Sequence, residues 1–327
     1  MSNSNHAGLT SQSPACPACR GTALAQIECI ECTTLAAAWS AQPHIAALVD
    51  APTLLAHLRT DLGASEVRIW RCATCGLEHA RPMGTWTAGH YPVQSHGFGF
   101  DHETAIRRLA GGGGGGRLLE IGCGDGDFLV RVPPLGYDVV GLDFAPAAVA
   151  KARERGLDVR EAGVRSLAGA VGDRSPFGVI AMFQVIEHLE DPEATFADLK
   201  SLARPGTRLF IGCPSPKRFA RAYPHPDRVG LSEFWDYPPA HTMRWTPDAL
   251  TAFLSRHGFD VAHIEAEPFD AVAAAAYFTA ACGVPAGWYS HPLRRRVETA
   301  RWRLRLAVDR AASRYTGIRL FAEARAR

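Results

Sequence analysis

Three groups of residues in this chain of 327 could do chemistry. The first is a glycine-rich loop, Glu120-Ile-Gly-Cys-Gly-Asp-Gly-Asp-Phe128. The second is a set of three Cys-x-x-Cys pairs, Cys16/Cys19, Cys29/Cys32 and Cys72/Cys75. The third is two histidines in polar settings, His188 in Gln184-Val-Ile-Glu-His and His241 in Pro-Pro-Ala-His-Thr-Met-Arg-Trp. The loop could hold a small ligand, the cysteines a metal, and either histidine a proton.

Gly122, Gly124 and Gly126 would let the backbone approach a ligand closely. Dinucleotide binding needs Gly-x-Gly-x-x-Gly, and here the third glycine position is Asp127. Asp125 and Asp127 would also repel a pyrophosphate at the helix N-terminus. A ligand carrying a cationic sulfonium and an ammonium group suits the loop better. No Gly-x-x-x-x-Gly-Lys-Ser/Thr run is present, which argues against a nucleoside triphosphate. Asp143, at the end of the next strand, could accept from both ribose hydroxyls of a nucleoside, or cap the helix begun in Asp-Phe-Ala-Pro. Phe144 could lie against an adenine ring. Glu120 is an acid in an apolar strand and needs a partner, which the loop or the amino end of the ligand would supply.

Paired cysteines in a reducing compartment favour metal over disulfides. The first 13 residues are polar and lack the apolar core of a signal peptide, and no apolar run could span a bilayer, so a cytoplasmic location is expected. A glycine follows both Cys16-Pro-Ala-Cys19-Arg and Cys72-Ala-Thr-Cys75, so these four thiolates are the preferred zinc ligands. Cys16, Cys19, Cys29 and Cys32 form the alternative set, closer in sequence. Cys123, Cys213 and Cys282 read as small buried hydrophobes.

The elements that would position these groups follow from periodicity. Strands are expected at Arg117–Gly122, Asp138–Asp143, Leu157–Glu161, Phe177–Phe183, Thr207–Cys213 and Phe259–Glu267. Helices are expected at Asp125–Val132, Pro146–Arg155, Pro192–Ala203 and from Thr246 to Gly258. Pro133-Pro134 would stop the first of these. Thr33–Leu62 reads as a helical insert in the cysteine region. The run Gly111–Gly116 reads as a flexible joint. Strands alternating with helices imply a mostly parallel α/β sheet covered on both faces, with ligands at the carboxyl ends of its strands.

Leu118–Phe128, Asp143, Phe183-Gln-Val-Ile-Glu-His-Leu-Glu-Asp-Pro192 and Leu202-Ala-Arg-Pro-Gly-Thr-Arg-Leu-Phe-Ile resemble successive motifs of class I S-adenosylmethionine-dependent methyltransferases. They resemble the branch that includes the ubiquinone-type O-methyltransferases, and Trp70-Arg-Cys-Ala-Thr-Cys-Gly resembles the zinc-ribbon prefix of some bacterial members. The resemblance implies a seven-stranded Rossmann-like sheet with an antiparallel last strand, for which Gly317-Ile-Arg-Leu-Phe-Ala-Glu-Ala-Arg is the match. It implies a zinc-ribbon-like module at 14–90 and a methyltransferase domain at 91–327, with a core at 117–268, a helical insertion at 269–316 and the last strand at 317–326. It implies cofactor binding by Glu120, Gly122, Cys123, Gly124, Asp125, Gly126, Phe128, Asp143, Phe144 and Gln184. The chain departs from the family at Phe177-Gly178, where an acid usually follows the aromatic, and in the shortened helix after the loop.

Methyl transfer needs alignment, exclusion of water, and a base only where the acceptor must lose a proton. His188 and His241 are the candidate bases, with a structural hydrogen-bonding role as the alternative for His188. The segment Pro214–Ala240, with Tyr223, His225, Phe234, Trp235 and Tyr237, reads as a substrate lid. The expected acceptor is a small molecule, most readily an oxygen of a sugar or secondary metabolite, with nitrogen or carbon open. An RNA methyltransferase using the zinc module, and a non-catalytic protein keeping the fold, are the rivals. A net charge of +2 argues against nucleic acid. The arginine-rich segment 291–327 is expected to form a helix packed through Val297, Ala300, Leu304, Ala307, Val308, Ala311 and Tyr315, its basic face free to meet a membrane surface.

Overall fold

The computed structural model describes residues 15–41, 49–85, 97–112, 115–164, 167–172, 176–222, 234–275, 292–308 and 314–327. Its centre is a sheet of seven strands: β4 (Gly116–Ile121), β5 (Tyr137–Asp143), β6 (Val159–Glu161), β7 (Phe177–Phe183), β8 (Ala203–Pro214), β10 (Phe259–Ala266) and β11 (Arg319–Ala326). Their order across the sheet is β10-β11-β8-β7-β4-β5-β6. β4 pairs in parallel with β5 and β7, and β8 in parallel with β7. Only β11 runs antiparallel, between β8 and β10. This is the seven-stranded Rossmann-like sheet with a reversed last strand that the motifs imply.

The central strands read as near-continuous apolar runs because both faces are covered. Leu118, Leu119, Ile121, Val140, Leu142, Ile180 and Met182 are all buried. Helix α4 (Pro146–Glu154) begins with Pro at its first turn. Helix α5 (Pro192–Leu202) is capped by Asp191, which accepts from Ala194 N at 3.0 Å. Helix α6 (Pro247–Arg256) is capped in the same way by Thr246.

A second sheet is built from β1 (Leu24–Glu31), β2 (Glu66–Cys72), β3 (Glu78–Arg81) and β9 (Met243–Arg244), in the order β1-β2-β3-β9. Helices α1 (Cys32–Ser40) and α2 (Ala51–Leu62) pack on it around Leu35, Trp39, Leu54 and Leu58. The last strand of this sheet comes from far along the chain, so the cysteine-bearing unit is completed by a piece of the larger one. One apolar cluster runs from Cys16, Cys75 and Leu77 to Trp245 and Phe253.

Several expectations are corrected. Asp125–Val132 is not an α-helix. Two 3-10 turns stand there, Leu129–Arg131 and Pro133–Leu135, because Gly126 is left-handed (φ +85°) and two prolines remove amide donors directly after. The ends of the glycine run belong to regular elements. Gly111 caps helix α3 (Phe100–Ala110), which the sequence reading missed, and Gly116 opens β4. The helix α7 (Pro292–Val308) does not bury the expected stripe: Val297, Leu304 and Val308 are exposed, while Trp302 and Leu306 pack with Phe219 and Ala274. Covering the Trp302 indole takes a large apolar surface out of water. Ala311, Tyr223, His225 and Cys282 lie outside the described residues. No helix among the described residues is long and apolar enough to cross a membrane.

Candidate active site

A cleft of about 810 Å³ opens at the carboxyl ends of β4, β5 and β7, within the range of small-molecule sites. The connection that leaves β4 forms its floor. Gly122, Gly124 and Gly126 have φ of +73°, +54° and +85°, a region costly for side chains with a Cβ. A Cβ on Gly124 would point into open space, so here the conformation, not crowding, calls for glycine. Asp143 sits at the end of β5, and one of its oxygens accepts from Gly124 N at 2.8 Å while the other accepts from Ala145 N at 2.8 Å. Its carboxylate thus ties the glycine loop to the start of α4, which has Ala145 as its N-cap residue. Phe144, next to it, is more than a third exposed along the cleft.

Glu120 lies near the end of β4 beneath the loop and is 2% exposed. Its Oε2 is buried without a hydrogen-bond partner, and burial, reinforced by the nearby Asp143, pushes its carboxyl well above the usual range. A buried acid facing a cleft, with only acids among the described charges that act on it, is suited to a cationic ligand group. Asp125 and Asp127, by contrast, are partly exposed and share Arg155. Cys123 and Phe128 also reach the cleft wall, though both are nearly fully buried. Phe128 stacks edge-on with Phe183 at 5.0 Å.

Gln184 follows β7 with a left-handed φ of +55°, and its side chain lines the cleft. Its Nε2 donates to Asp101 at 3.0 Å, and its backbone N donates to Gly212 O at 2.8 Å. Asp101 lies at the start of α3, which the sequence reading did not detect. Beside it, His102 lines the cleft among Phe98, Phe128 and Phe183. The amphipathic spacing of Asp101, His102, Ala105 and Leu109 was the available signal, obscured by the polar charges and glycines around it.

His188 stands on the cleft wall, and His241 stands behind it. The two rings meet edge to face with centroids 4.8 Å apart. His188 Nδ1 is 2.7 Å from Ala240 O, and His241 Nδ1 is 3.2 Å from Asp236 Oδ1. Asp236, which the sequence reading also missed, is buried. Burial alone would raise its carboxyl, but the Arg218 charge and the His241 hydrogen bond hold it well below the usual range. Burial lowers His241 below its ordinary value, against the pull of Asp236. Glu187 is 1% exposed, and burial pushes it up to about 8. One ligand atom from each of Glu187, His188 and His241 lies within 4.8 Å of the others, a group that could hold a cation.

The backbone around these histidines is tied to the cysteine unit. Thr242 N donates to Glu187 O at 2.8 Å, and the next two residues form β9 on the edge of β3. Arg244 donates to Glu78 at 2.9 Å and to the Asp236 carbonyl at 3.0 Å. Trp235 and Tyr237, read as part of a lid, lie against the small unit instead. Trp235 meets Trp39 at 4.7 Å, and the Tyr237 hydroxyl donates to Glu28 at 2.7 Å. Among the described residues of this segment, Pro239 reaches the cleft. Thr85, just after β3, reaches it too and donates to Glu190 through both its amide and its hydroxyl.

Four cysteine sulfurs converge on one point. Cys16 Sγ is 3.6 Å from Cys75 Sγ, and Cys19 Sγ is 3.6 Å from Cys72 Sγ. All four sulfurs lie within 4.8 Å of one another. Thiolates around a tetrahedral zinc at about 2.3 Å stand about 3.8 Å apart, so the set fits such an ion. Left-handed Gly76 and the Gly21 amide, which donates to Cys19 Sγ at 3.4 Å, shape the two turns. Cys29 and Cys32 are elsewhere. Cys29 is exposed beside Glu66, and Cys32 donates to Ala64 O.

Residues 101–264 match the family model of the methyltransferase domain, half of the chain. The chain is 35% identical over 156 residues to a ubiquinone biosynthesis O-methyltransferase of Cereibacter sphaeroides, covering 44% of this chain and 60% of that protein. It is 32% identical over 164 residues to a probable S-adenosylmethionine-dependent methyltransferase of Mycolicibacterium smegmatis, covering 49% and 58%. The chain thus spans about three fifths of the length of these curated relatives. A solved S-adenosylmethionine-dependent methyltransferase from Mesorhizobium loti superposes with a TM-score of 0.44 at 22% identity, covering 69% of this chain and 98% of the other. Motif order, sheet topology and the family match agree: this chain belongs to the class I S-adenosylmethionine-dependent methyltransferases.

Proposed function

We propose that the protein transfers a methyl group from S-adenosylmethionine to an oxygen of a small-molecule acceptor. The observation that carries this is Glu120, a buried acid with an unpartnered oxygen under a left-handed glycine loop. An acid in that state is costly until a cation meets it. In this reading the ammonium of the cofactor meets Glu120, the ribose meets Asp143, and the adenine meets Phe144. Gly122, Cys123, Gly124, Asp125, Gly126, Phe128 and Gln184 complete the pocket. When bound, S-adenosylmethionine supplies a carbon already activated by its sulfonium.

The chain's own work is then to align the acceptor, exclude water and take one proton. His188 is the proposed base. A carbonyl can only accept, so the Ala240 contact assigns the proton of the neutral ring to Nδ1 and makes Nε2, buried and 4.0 Å from Glu187 Oε1, the acceptor nitrogen. His241, held by Asp236 behind His188, is proposed to support that ring and to take over the proton. The relatives named as ubiquinone biosynthesis O-methyltransferases support an oxygen acceptor, and an acceptor of metabolite size fits the cleft.

We further propose that Cys16, Cys19, Cys72 and Cys75 hold a structural zinc, and that the chain divides at 14–90 and 91–327, with β9 crossing to complete the first unit. The small unit packs on the segment that carries His241, which supports a scaffolding role over an RNA-holding one. Assaying transfer from methyl-labelled S-adenosylmethionine to a metabolite library tests the reading. Label should appear on a hydroxylated small molecule; transfer only to RNA would overturn the assignment of acceptor.

A further inference from the structure

Asp101 is the most completely buried carboxylate near the cleft, at 0% exposure, and no motif accounts for it. It comes from helix α3, outside the glycine loop and the histidine cluster. Its oxygens accept from the Gln184 amide at 3.0 Å, from His102 N at 3.1 Å and from Arg319 at 2.5 Å. Burial alone would raise it, but the His102 hydrogen bond and the Arg319 charge outweigh that, so it is ionised. The fold makes room for it. A Cβ on Gly212 of β8 would collide with the Asp101 carboxyl, and Gly212 O is the acceptor for Gln184 N. One glycine therefore admits the carboxylate and anchors the backbone of the residue it holds.

The consequence falls on Gln184. Its amide has one donor end and one acceptor end. An ionised carboxylate can only accept, so it takes the Nε2 end, and the amide cannot flip without facing oxygen to oxygen. The left-handed backbone, at φ +55°, is a strained state for glutamine, held by these surrounding bonds. We propose that Asp101 is a positioning residue that fixes Gln184 so that its Oε1 presents a preorganised negative dipole to the cleft, favouring a sulfonium over a neutral thioether. This rests on the reading of the cleft as an S-adenosylmethionine site. It gives the pocket a means to bind the charged methyl donor more tightly than the uncharged product left after transfer.

The test is a double-mutant cycle read as a ratio of affinities. Calorimetry measures S-adenosylmethionine and S-adenosylhomocysteine binding to the full chain and to Gln184→Met, Asp101→Asn and the double variant. In Gln184→Met the preference for the sulfonium should fall about three- to tenfold, with the thioether affinity nearly unchanged. Asp101→Asn should give a smaller fall of the same kind, because Asn offers only one acceptor oxygen to three donors. The double variant should match Gln184→Met alone, since the effect of Asp101 runs through Gln184. Equal weakening of both ligands would overturn the proposal and leave only a structural role. A further loss of preference on adding Asp101→Asn to Gln184→Met would overturn it as well, because Asp101 would then act by its own charge. If the native chain binds neither ligand, the cofactor reading itself fails. Should Asp101→Asn not fold, Arg319→Gln, which loosens the same carboxylate, goes through the same cycle with the same outcomes.

Discussion

His188 Nδ1 stands 2.7 Å from the carbonyl oxygen of Ala240, three residues ahead of the strand that the large unit lends to the small one. The ring that faces the cleft is therefore set by backbone that the cysteine unit holds in place. His188→Gln should keep the packing and remove the proposed base. The expected outcome is a fall in kcat of about 10² to 10⁴ with the acceptor found by screening, at cofactor affinity within about twofold of native. Steady-state kinetics beside calorimetry checks it. An unchanged kcat would leave His188 with a structural role only.

The metal reading predicts one zinc per chain by elemental analysis. Cys19→Ser and Cys75→Ser should lower that content sharply, while Cys29→Ser, whose sulfur sits beside Glu66, should leave it at the native level. Loss of zinc in Cys29→Ser would instead restore the sequence-adjacent ligand set.

Arg244 links the two units with its side chain 5% exposed, bonded to Glu78 and to the Asp236 carbonyl. Without Arg244, Glu78 keeps Arg71 and Arg221 and Asp236 keeps Arg218, so the change removes one cation of a shared network rather than stranding an acid. Arg244→Ala should cost about 1.5–3 kcal/mol in urea unfolding, the scale of losing hydrogen bonds between charged groups. A single-variant cost under about 1 kcal/mol would show that the network is not a coupling element.

Burial raises the carboxyl of Glu120 in the folded chain above its unfolded value of 4.5. The folded state then holds a proton that the unfolded state has lost, so stability falls as pH rises from 4.5 toward the folded value. Melting temperatures from about pH 5 to 8 should decline less in Glu120→Gln than in the native chain. Saturating S-adenosylmethionine should reduce the native decline, because a cation beside Glu120 favours its ionised form. Parallel slopes in the two proteins would contradict this.

Sequence patterns carried the sheet further than the site. The apolar runs ending at Ile121, Asp143 and Phe183 mark strands buried on both faces, and period and length suffice to find such strands. The four-cysteine group was legible because glycines follow the two pairs that meet. Asp101 and Asp236 were not legible. Each works through contacts spanning long stretches of chain or crossing between elements, Asp101 to Arg319 and Gln184, Asp236 to Arg218 and Arg244, and nothing in local spacing announces such partners. The stripe at Val297, Leu304 and Val308 misled because periodicity marks an apolar face without saying which face is covered, and Trp302 outweighs it.

We propose that the cleft binds S-adenosylmethionine through the glycine loop and Asp143. Calorimetric titration of the native chain tests it most directly, with Asp143→Ala titrated alongside. One saturable site per chain is expected, weakened at least about tenfold in Asp143→Ala with zinc content unchanged. No saturable binding by folded native protein at ligand concentrations on the order of 1 mM would contradict it.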